Sequence, residues 1–137
     1  MKRILLILIF SYSAICSLTA QPEAVHNAFG VKFPNAVQVI WGNGNGTEWE
    51  ADFMIDGSKY SALFDLQGKW IETIRIIKLF ELPQDVRNSI VTNFPHWEIA
   101  ELNKIEKANS GVSYEANLKK GKEKKNIAIK EDGSIIH

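Results

Sequence analysis

Cysteine is all but missing from this chain of 137 residues: Cys16 is the single one. A disulfide framework is therefore excluded, and so is a zinc site built on thiolates. Neither sign of charge is in excess, with 16 Lys and Arg against 16 Asp and Glu. That balance argues against nucleic acid as a partner, because nucleic-acid binders carry a basic surplus. Long apolar runs are missing too. The most apolar stretch, residues 4–10, is far shorter than the roughly 20 residues a spanning helix needs. Histidine is scarce: His26, His96 and His137 have no second His, Asp or Glu at a metal-ligand spacing. No nucleophile–base pair can be assembled either, so no catalytic residue, metal or cofactor is expected and the chain reads as a non-enzyme. What is present is an ordinary globular composition, 45% hydrophobic and 23% charged.

Residues 1–20 read as an export signal. Lys2 and Arg3 precede the apolar run 4–10, and small residues lead to Ala20-Gln21, where cleavage is expected. Leu18 is large for its place before that cut. Cleavage before a lipid-modified Cys16 is the rival, set against a bulky Ile15 in front of it. Without Lys2 and Arg3 the mature chain has 14 basic and 16 acidic residues, a net charge of −2, and no cysteine. An exported location, periplasmic or extracellular, follows, with stability resting on packing.

The mature chain repeats itself. Pro22, Val25, Phe29 and Phe33-Pro34 recur 61 residues later as Pro83, Val86, Ile90 and Phe94-Pro95. Trp49-Glu50-Ala51-Asp52-Phe53 recurs as Tyr114-Glu115-Ala116-Asn117-Leu118, and Gly68 as Gly133, now 65 residues apart. The four extra residues are expected in the loop around 108–111. Two units result, 21–81 and 82–137, sharing one structural domain. The first carries 5 basic and 8 acidic residues and the second 9 and 8.

Each unit opens with a helix. Val25, Phe29 and Phe33, like Val86, Ile90 and Phe94, fall at the i, i+4, i+8 positions of one helical face. The four prolines flank these helices, starting them at Pro22 and Pro83 and stopping them at Pro34 and Pro95. Strands follow. Residues 47–55 alternate with Trp49, Ala51, Phe53 and Ile55 on one face, and Tyr60, Ala62, Phe64 and Leu66 do so in the next. Asp56-Gly57 between them is two-residue hairpin chemistry, which sets Phe53 against Tyr60, Ala51 against Ala62 and Trp49 against Phe64. A first strand covers 37–41, and a long one follows a two-residue turn at Gln67-Gly68 and runs over 69–80. The second unit is expected to supply strands at 97–107, 112–119, 124–131 and 135–137. The fold class is α+β: a helix and four antiparallel strands, twice, with the helices covering the apolar face.

The order of Phe33-Pro34, the Trp49–Phe53 motif, Asp56-Gly57, Gly68, Leu82-Pro83 and Phe94-Pro95 resembles the PepSY-like, β-lactamase-inhibitor-like (BLIP-like) family of small exported bacterial proteins, frequent in the Bacteroidetes. The resemblance covers residues 22–137. It implies two tandem α+β repeats joined in one curved antiparallel sheet with the helices on one face, and an inhibitory or binding role without catalysis.

Two further features have ordinary explanations. Residues 42–46, Gly-Asn-Gly-Asn-Gly, mimic a phosphate loop but lead into a strand rather than a helix N-terminus. The cluster Lys119, Lys120, Lys122, Lys124 and Lys125 surrounds Gly121 at a hairpin tip and guards against edge pairing. The outward sheet face is the candidate binding surface. Alternation puts Glu48, Glu50, Asp52, Met54, Leu63 and Asp65 there, and the turn at Gln67-Gly68 adds Trp70, Glu72 and Ile74. Trp70, Leu63, Met54 and Ile74 are the expected apolar anchors, rimmed by Glu50, Asp52 and Glu72. Glu48 and Asp65 oppose one another, with a lysine expected to bridge them. The partner read from this face is an unidentified protein or peptide. A carrier of a small ligand or ion, using a pocket between the sheet and loop 42–46, is the alternative. A strand edge open to a second copy leaves the oligomeric state undecided.

Overall fold

A computed structural model describes residues 20–43 and 45–136. The expected export signal (save Ala20), Cys16, Gly44 and His137 lie outside the described residues. Helix α1 spans Glu23–Lys32 and is followed by strands β1 (Val37–Asn43), β2 (Glu48–Ile55), β3 (Ser58–Asp65) and β4 (Trp70–Ile76). A 3-10 turn at Leu79–Glu81 leads to α2 (Gln84–Asn93), then β5 (Glu98–Lys107), β6 (Gly111–Lys120), β7 (Glu123–Lys130) and β8 (Ile135–Ile136). The eight strands form one antiparallel sheet in sequential order.

The helix ends follow from their prolines and aromatics. Pro22 and Pro83 stand just before the first helical residue with extended ψ of 143° and 148°. At the far ends the Phe33 and Phe94 amides close on the carbonyls of Phe29 and Ile90, at 2.8 and 2.9 Å. Each helix then buries two residues, Val25 and Phe29 or Val86 and Ile90. Phe29 is the hub of the first core, its ring 5.0 Å from both Trp41 and Phe53 in edge-on geometry. Such contacts add about 0.5–1.5 kcal/mol per pair beyond area burial. A second core gathers Val86, Ile90, Leu102, Tyr114, Leu118 and Ile129 under α2.

The β2–β3 hairpin has the register its turn dictates: Phe53 opposite Tyr60, Ala51 opposite Ala62, Trp49 opposite Phe64. Asp56 and Gly57 both have positive φ, 50° and 76°, as a type I′ turn requires. The Phe53 and Tyr60 rings stack at 5.4 Å.

Three expectations are corrected. The strand expected over 69–80 ends at Ile76, because the Lys78 amide is taken by Glu81 Oε2 and the Glu81 amide by the Lys78 carbonyl, which turns the chain. The four additional residues of the second half do not swell a loop. Shifted by 61, β1 would end at 104, but β5 runs to Lys107; shifted by 65, β2 would begin at 113, but β6 begins at Gly111. The extra residues lengthen the hairpin arms, and the connection between them is a tight 108–110 turn closed by Gly111 at φ +73°. Finally, the turn after β3 has three residues, not two. The Asp65 amide donates to the Lys69 carbonyl, and Gly68 takes the left-handed position at φ +82°.

Gly68 is also a packing point. A Cβ there would stand 2.4 Å from the Ala24 carbonyl oxygen in α1, and one on Gly133 would stand 2.7 Å from that of Asp85 in α2. Each helix thus rests its first turn on a glycine of the last hairpin in its own half. Both sheet edges are blunted. β1 is broken by a bulge between Val37 and Ile40, with Gln38 at φ +55°, and β8 spans two residues. β8 pairs only with Ala128 and Ile129, so among the described residues the β7 edge over residues 123–127 has no strand neighbour, and Lys124 and Lys125 stand along it.

Candidate functional site

Among the described residues both helices pack on one face of the sheet, and the other face carries none. Rows of that second face follow from the register. Glu50, Leu63, Glu72 and Lys107 lie side by side across β2 to β5. The next row is Asp52, Ser61, Ile74, Ile105, Ser113 and Lys130. A further row holds Ile76, Asn103, Glu115 and Ala128. Six of the seven expected residues, Leu63, Met54, Ile74, Glu50, Asp52 and Glu72, therefore share the helix-free face.

Trp70 does not. The three-residue turn sets it opposite Phe64, and a bulge between that pair and Leu63–Glu72 absorbs Ile71 as an extra residue. One inserted residue reverses which face a side chain meets. Trp70 consequently packs on the first core beneath α1, where its indole N–H donates to Thr73 Oγ1 at 2.9 Å and Lys32 Nζ sits 3.8 Å from its ring centre. Glu72 and Ile74, beyond the bulge, recover the expected parity.

The acids of the face are engaged with one another and with their neighbours. Ser61 Oγ donates to Glu50 Oε1 at 2.6 Å, and Lys107 Nζ pairs with Glu72 Oε2 at 3.2 Å. Burial, and then the adjacent Glu50, push the Asp52 carboxyl above its ordinary value. The lysine bridge expected at Glu48 and Asp65 is not formed. The two are opposite each other, but Asp65 Oδ1 accepts the backbone N–H groups of Gln67 and Lys69, each at 2.9 Å. Among the described residues no ion pair includes either acid.

Beside this lies a group that the sequence reading missed. Asn103 and Glu115 are buried at 5% and 4% exposure, and Ile105 at 6%, although no helix covers them. A helix-free face buries side chains only where neighbours on the same face lean over them, as on a sheet curled to that side. Asn103 and Asn117 both donate Nδ2 hydrogens to Glu101 Oε1, at 3.1 and 3.3 Å. Asn126 Nδ2 donates to Glu115 Oε1 and to Asn117 Oδ1. Glu115 Oε2 is buried with no hydrogen-bond partner. Burial pushes the Glu115 carboxyl up; Asn126 opposes this, Glu101 and Glu72 reinforce it and Lys107 opposes it. The signal was available, since Glu115 and Asn117 stand in the second motif where Glu50 and Asp52 stand in the first.

On the helix-bearing face a groove of about 280 Å³ is lined by Phe33, Tyr60, Thr73, Arg75, Lys104 and Glu106. Its cations are already paired: Arg75 with Glu81 at 2.8 Å and Lys104 with Glu106 at 2.7 Å. The hydrogen bond to Glu106 raises the Lys104 ammonium pKa, and the Lys78 amide, ahead of Arg75, holds the Glu81 carboxyl below its usual range. None of the described residues of loop 42–46 lines this groove. In that loop Asn43 Oδ1 accepts the Gly46 amide and Asn45 Oδ1 the Thr47 amide.

His26 and His96 are both exposed. Of the lysine cluster, Lys119 pairs with Glu98 at 3.2 Å, and Lys125 turns to the helix side over Phe94 and Trp97. Among the described residues no group of three or more His, Cys, Asp or Glu is placed to hold a metal, and no helix is long and apolar enough to cross a membrane.

The architecture is similar to solved structures from Bacteroides. A BLIP-like protein from Bacteroides fragilis matches with TM-score 0.80 and 21% identity, over 88% of this chain and 86% of that one. A DUF2874 family protein from Bacteroides ovatus matches with TM-score 0.80 and 20% identity, over 86% of each chain. A protein from Bacteroides eggerthii proposed to be periplasmic matches with TM-score 0.80 and 18% identity, over 86% of this chain and 87% of that one. At these identities the likeness is one of fold. It bears on the BLIP-like part of the resemblance and not on PepSY in particular. No protein-family model and no curated protein matches the chain.

Proposed function

We propose that this chain is an exported, non-catalytic docking module of the BLIP-like type, working in the periplasm and capturing a protein partner on the helix-free face of its sheet. The observation that carries this reading is the face itself. Leu63, Met54 and Ile74 lie on β3, β2 and β4 in three successive cross-strand rows, interleaved with Glu50, Asp52 and Glu72, on the side that neither helix covers. An apolar centre with a polar rim is the usual anatomy of such a surface. The fold likeness to a BLIP-like protein and to one proposed to be periplasmic supports the same reading.

The module is a tandem duplication of units 21–81 and 82–137 within one structural domain. In support, the equivalent glycines Gly68 and Gly133 meet the first turns of α1 and α2 in the same way. The carrier alternative has less in its favour, because the groove on the helix-bearing face has its cations already neutralised.

The test is site-specific photo-crosslinking in cells expressing the protein. A crosslinking residue at Leu63 should give one discrete protein adduct, and one at Val91, 68% exposed on α2, should give none. Equal labelling from both positions, or none from Leu63 and Ile74 alike, would sink the docking reading.

A further inference from the structure

The Glu101–Glu115 network on the helix-free face is short of donors. Five side chains from β5, β6 and β7 meet there: the carboxylates of Glu101 and Glu115 and the carboxamides of Asn103, Asn117 and Asn126. A carboxylate only accepts hydrogen bonds, with about four lone-pair sites per group. The three amides direct their N–H groups to one oxygen of each carboxylate, or to each other. Glu115 Oε2 is left buried and bare. Among the described residues neither Glu101 nor Glu115 has an ion-pair partner. Lys107, the cation closest in influence to Glu115, is committed to Glu72 at 3.2 Å. What the network lacks is a donor, and for two carboxylates the matching donor carries positive charge.

The surroundings favour the same complement. On β2 to β4 the helix-free face carries Glu48, Glu50, Asp52, Asp65 and Glu72 against Lys59. On β5 to β7 Lys107, Lys119, Lys124 and Lys130 stand beside Glu98, Glu101 and Glu115. The acids thus outnumber the lysines by eight to five over the face, and the excess lies on β2 to β4. A surface of that sign draws a basic partner segment toward it. A planar guanidinium fits two carboxylates particularly well, because its fixed fork of donors can engage both.

We propose that Glu115 and Glu101, held by Asn103, Asn117 and Asn126, form a socket for a guanidinium or ammonium group on a basic side chain of the docked protein partner. This deepens the docking reading and rests on it. The socket supplies the specific polar contact, beside the apolar contacts of Leu63 and Ile74.

The experiment uses arginine amide as the probe and the side-chain amide NMR signals of Asn103, Asn117 and Asn126 as the readout. Arginine amide should shift these signals saturably. Citrulline amide, of the same shape without the charge, should leave them in place. Glu115→Gln should weaken arginine amide binding by at least about tenfold, as loss of a charged hydrogen-bond acceptor implies. Glu131→Gln, at an exposed acid on the β7–β8 turn, should not weaken it. Glu101→Gln gives a second reading should Glu115→Gln disturb the fold.

Equal shifts from citrulline amide, or unchanged binding in both variants, would overturn the socket. So would calcium chloride moving the same signals at lower concentration than arginine amide, which would make this a metal site. If arginine amide fails while the Leu63 adduct forms, the docking face stands and the socket falls. If arginine amide binds but Leu63 gives no adduct, the site takes cations without a docked protein and the proposal falls with the face.

Discussion

Replacing Trp70 with alanine tests the bulge that separates the two faces of the sheet. Beneath α1 the indole is half-buried against the first core, donates to Thr73 Oγ1 at 2.9 Å and lies under Lys32 Nζ at 3.8 Å. Truncating a fully buried tryptophan costs about 3–5 kcal/mol, and a half-exposed one correspondingly less. The lost hydrogen bond adds about 1 kcal/mol, because Thr73 is 5% exposed and its hydroxyl has little access to water. The ammonium–ring contact adds about 0.5–1 kcal/mol. A loss of about 3 kcal/mol in total is expected, a large part of the stability of a small domain. Trp70→Phe keeps most of the ring and should lose about 1–2 kcal/mol through the unpaired Thr73 hydroxyl. Urea unfolding followed by circular dichroism measures both, with an unchanged slope marking a native-state effect. At low urea, where the variant is still folded, the Leu63 adduct should persist. A Trp70→Ala protein that unfolds at the wild-type midpoint but no longer yields the adduct would put the indole on the docking face and refute this account.

Gly68→Ala should destabilise by about 2–4 kcal/mol, since a left-handed backbone costs about 1–2 kcal/mol for alanine and the new Cβ would stand 2.4 Å from the Ala24 carbonyl oxygen. Gly57→Ala is the control, with φ +76° but open space around it; if both variants shift the urea midpoint equally, α1 does not rest on Gly68 as described. Glu115→Gln should be more stable than wild type at about pH 7, with the difference fading below the ordinary carboxyl value of 4.5. The sign follows from burial: a carboxyl whose pKa is raised on folding binds its proton more tightly in the native state, so stability is lost as pH rises from 4.5 through the raised value. Urea midpoints across that range check it, and a variant less stable than wild type at neutral pH would show that the ionised Glu115 is favoured by its surroundings.

Much of the architecture was legible because its signals are local. The Pro22 and Pro83 flanks, the Val25–Phe29 and Val86–Ile90 pairs and the Asp56-Gly57 turn each act within a few residues and met the structure as read. Phe33 and Phe94, expected on the same helical faces, instead stand just past the helix ends. Expectations failed where a strand's course depends on its neighbours. The four extra residues of the second half could be counted, but whether they enlarge a loop or lengthen a hairpin is decided by pairing along β5 and β6. Of the seven candidate residues, six lie on the face that alternation assigned them and Trp70 does not. Glu72 and Ile74 came out correctly only because the longer turn and the bulge at Ile71 cancel beyond Trp70.

By itself, then, the sequence determined the helices, the β2–β3 register and the alternation that puts Leu63, Glu50 and Asp52 on one side. These are set by backbone chemistry and periodicity, which act locally. Tertiary structure alone decided that Trp70 belongs to the core, and that Glu101, Glu115 and three asparagines from three strands meet around one unpaired oxygen. The reason is geometric. A single bulged residue inverts the face of a side chain, and neighbours across a sheet are fixed only when every intervening register is set.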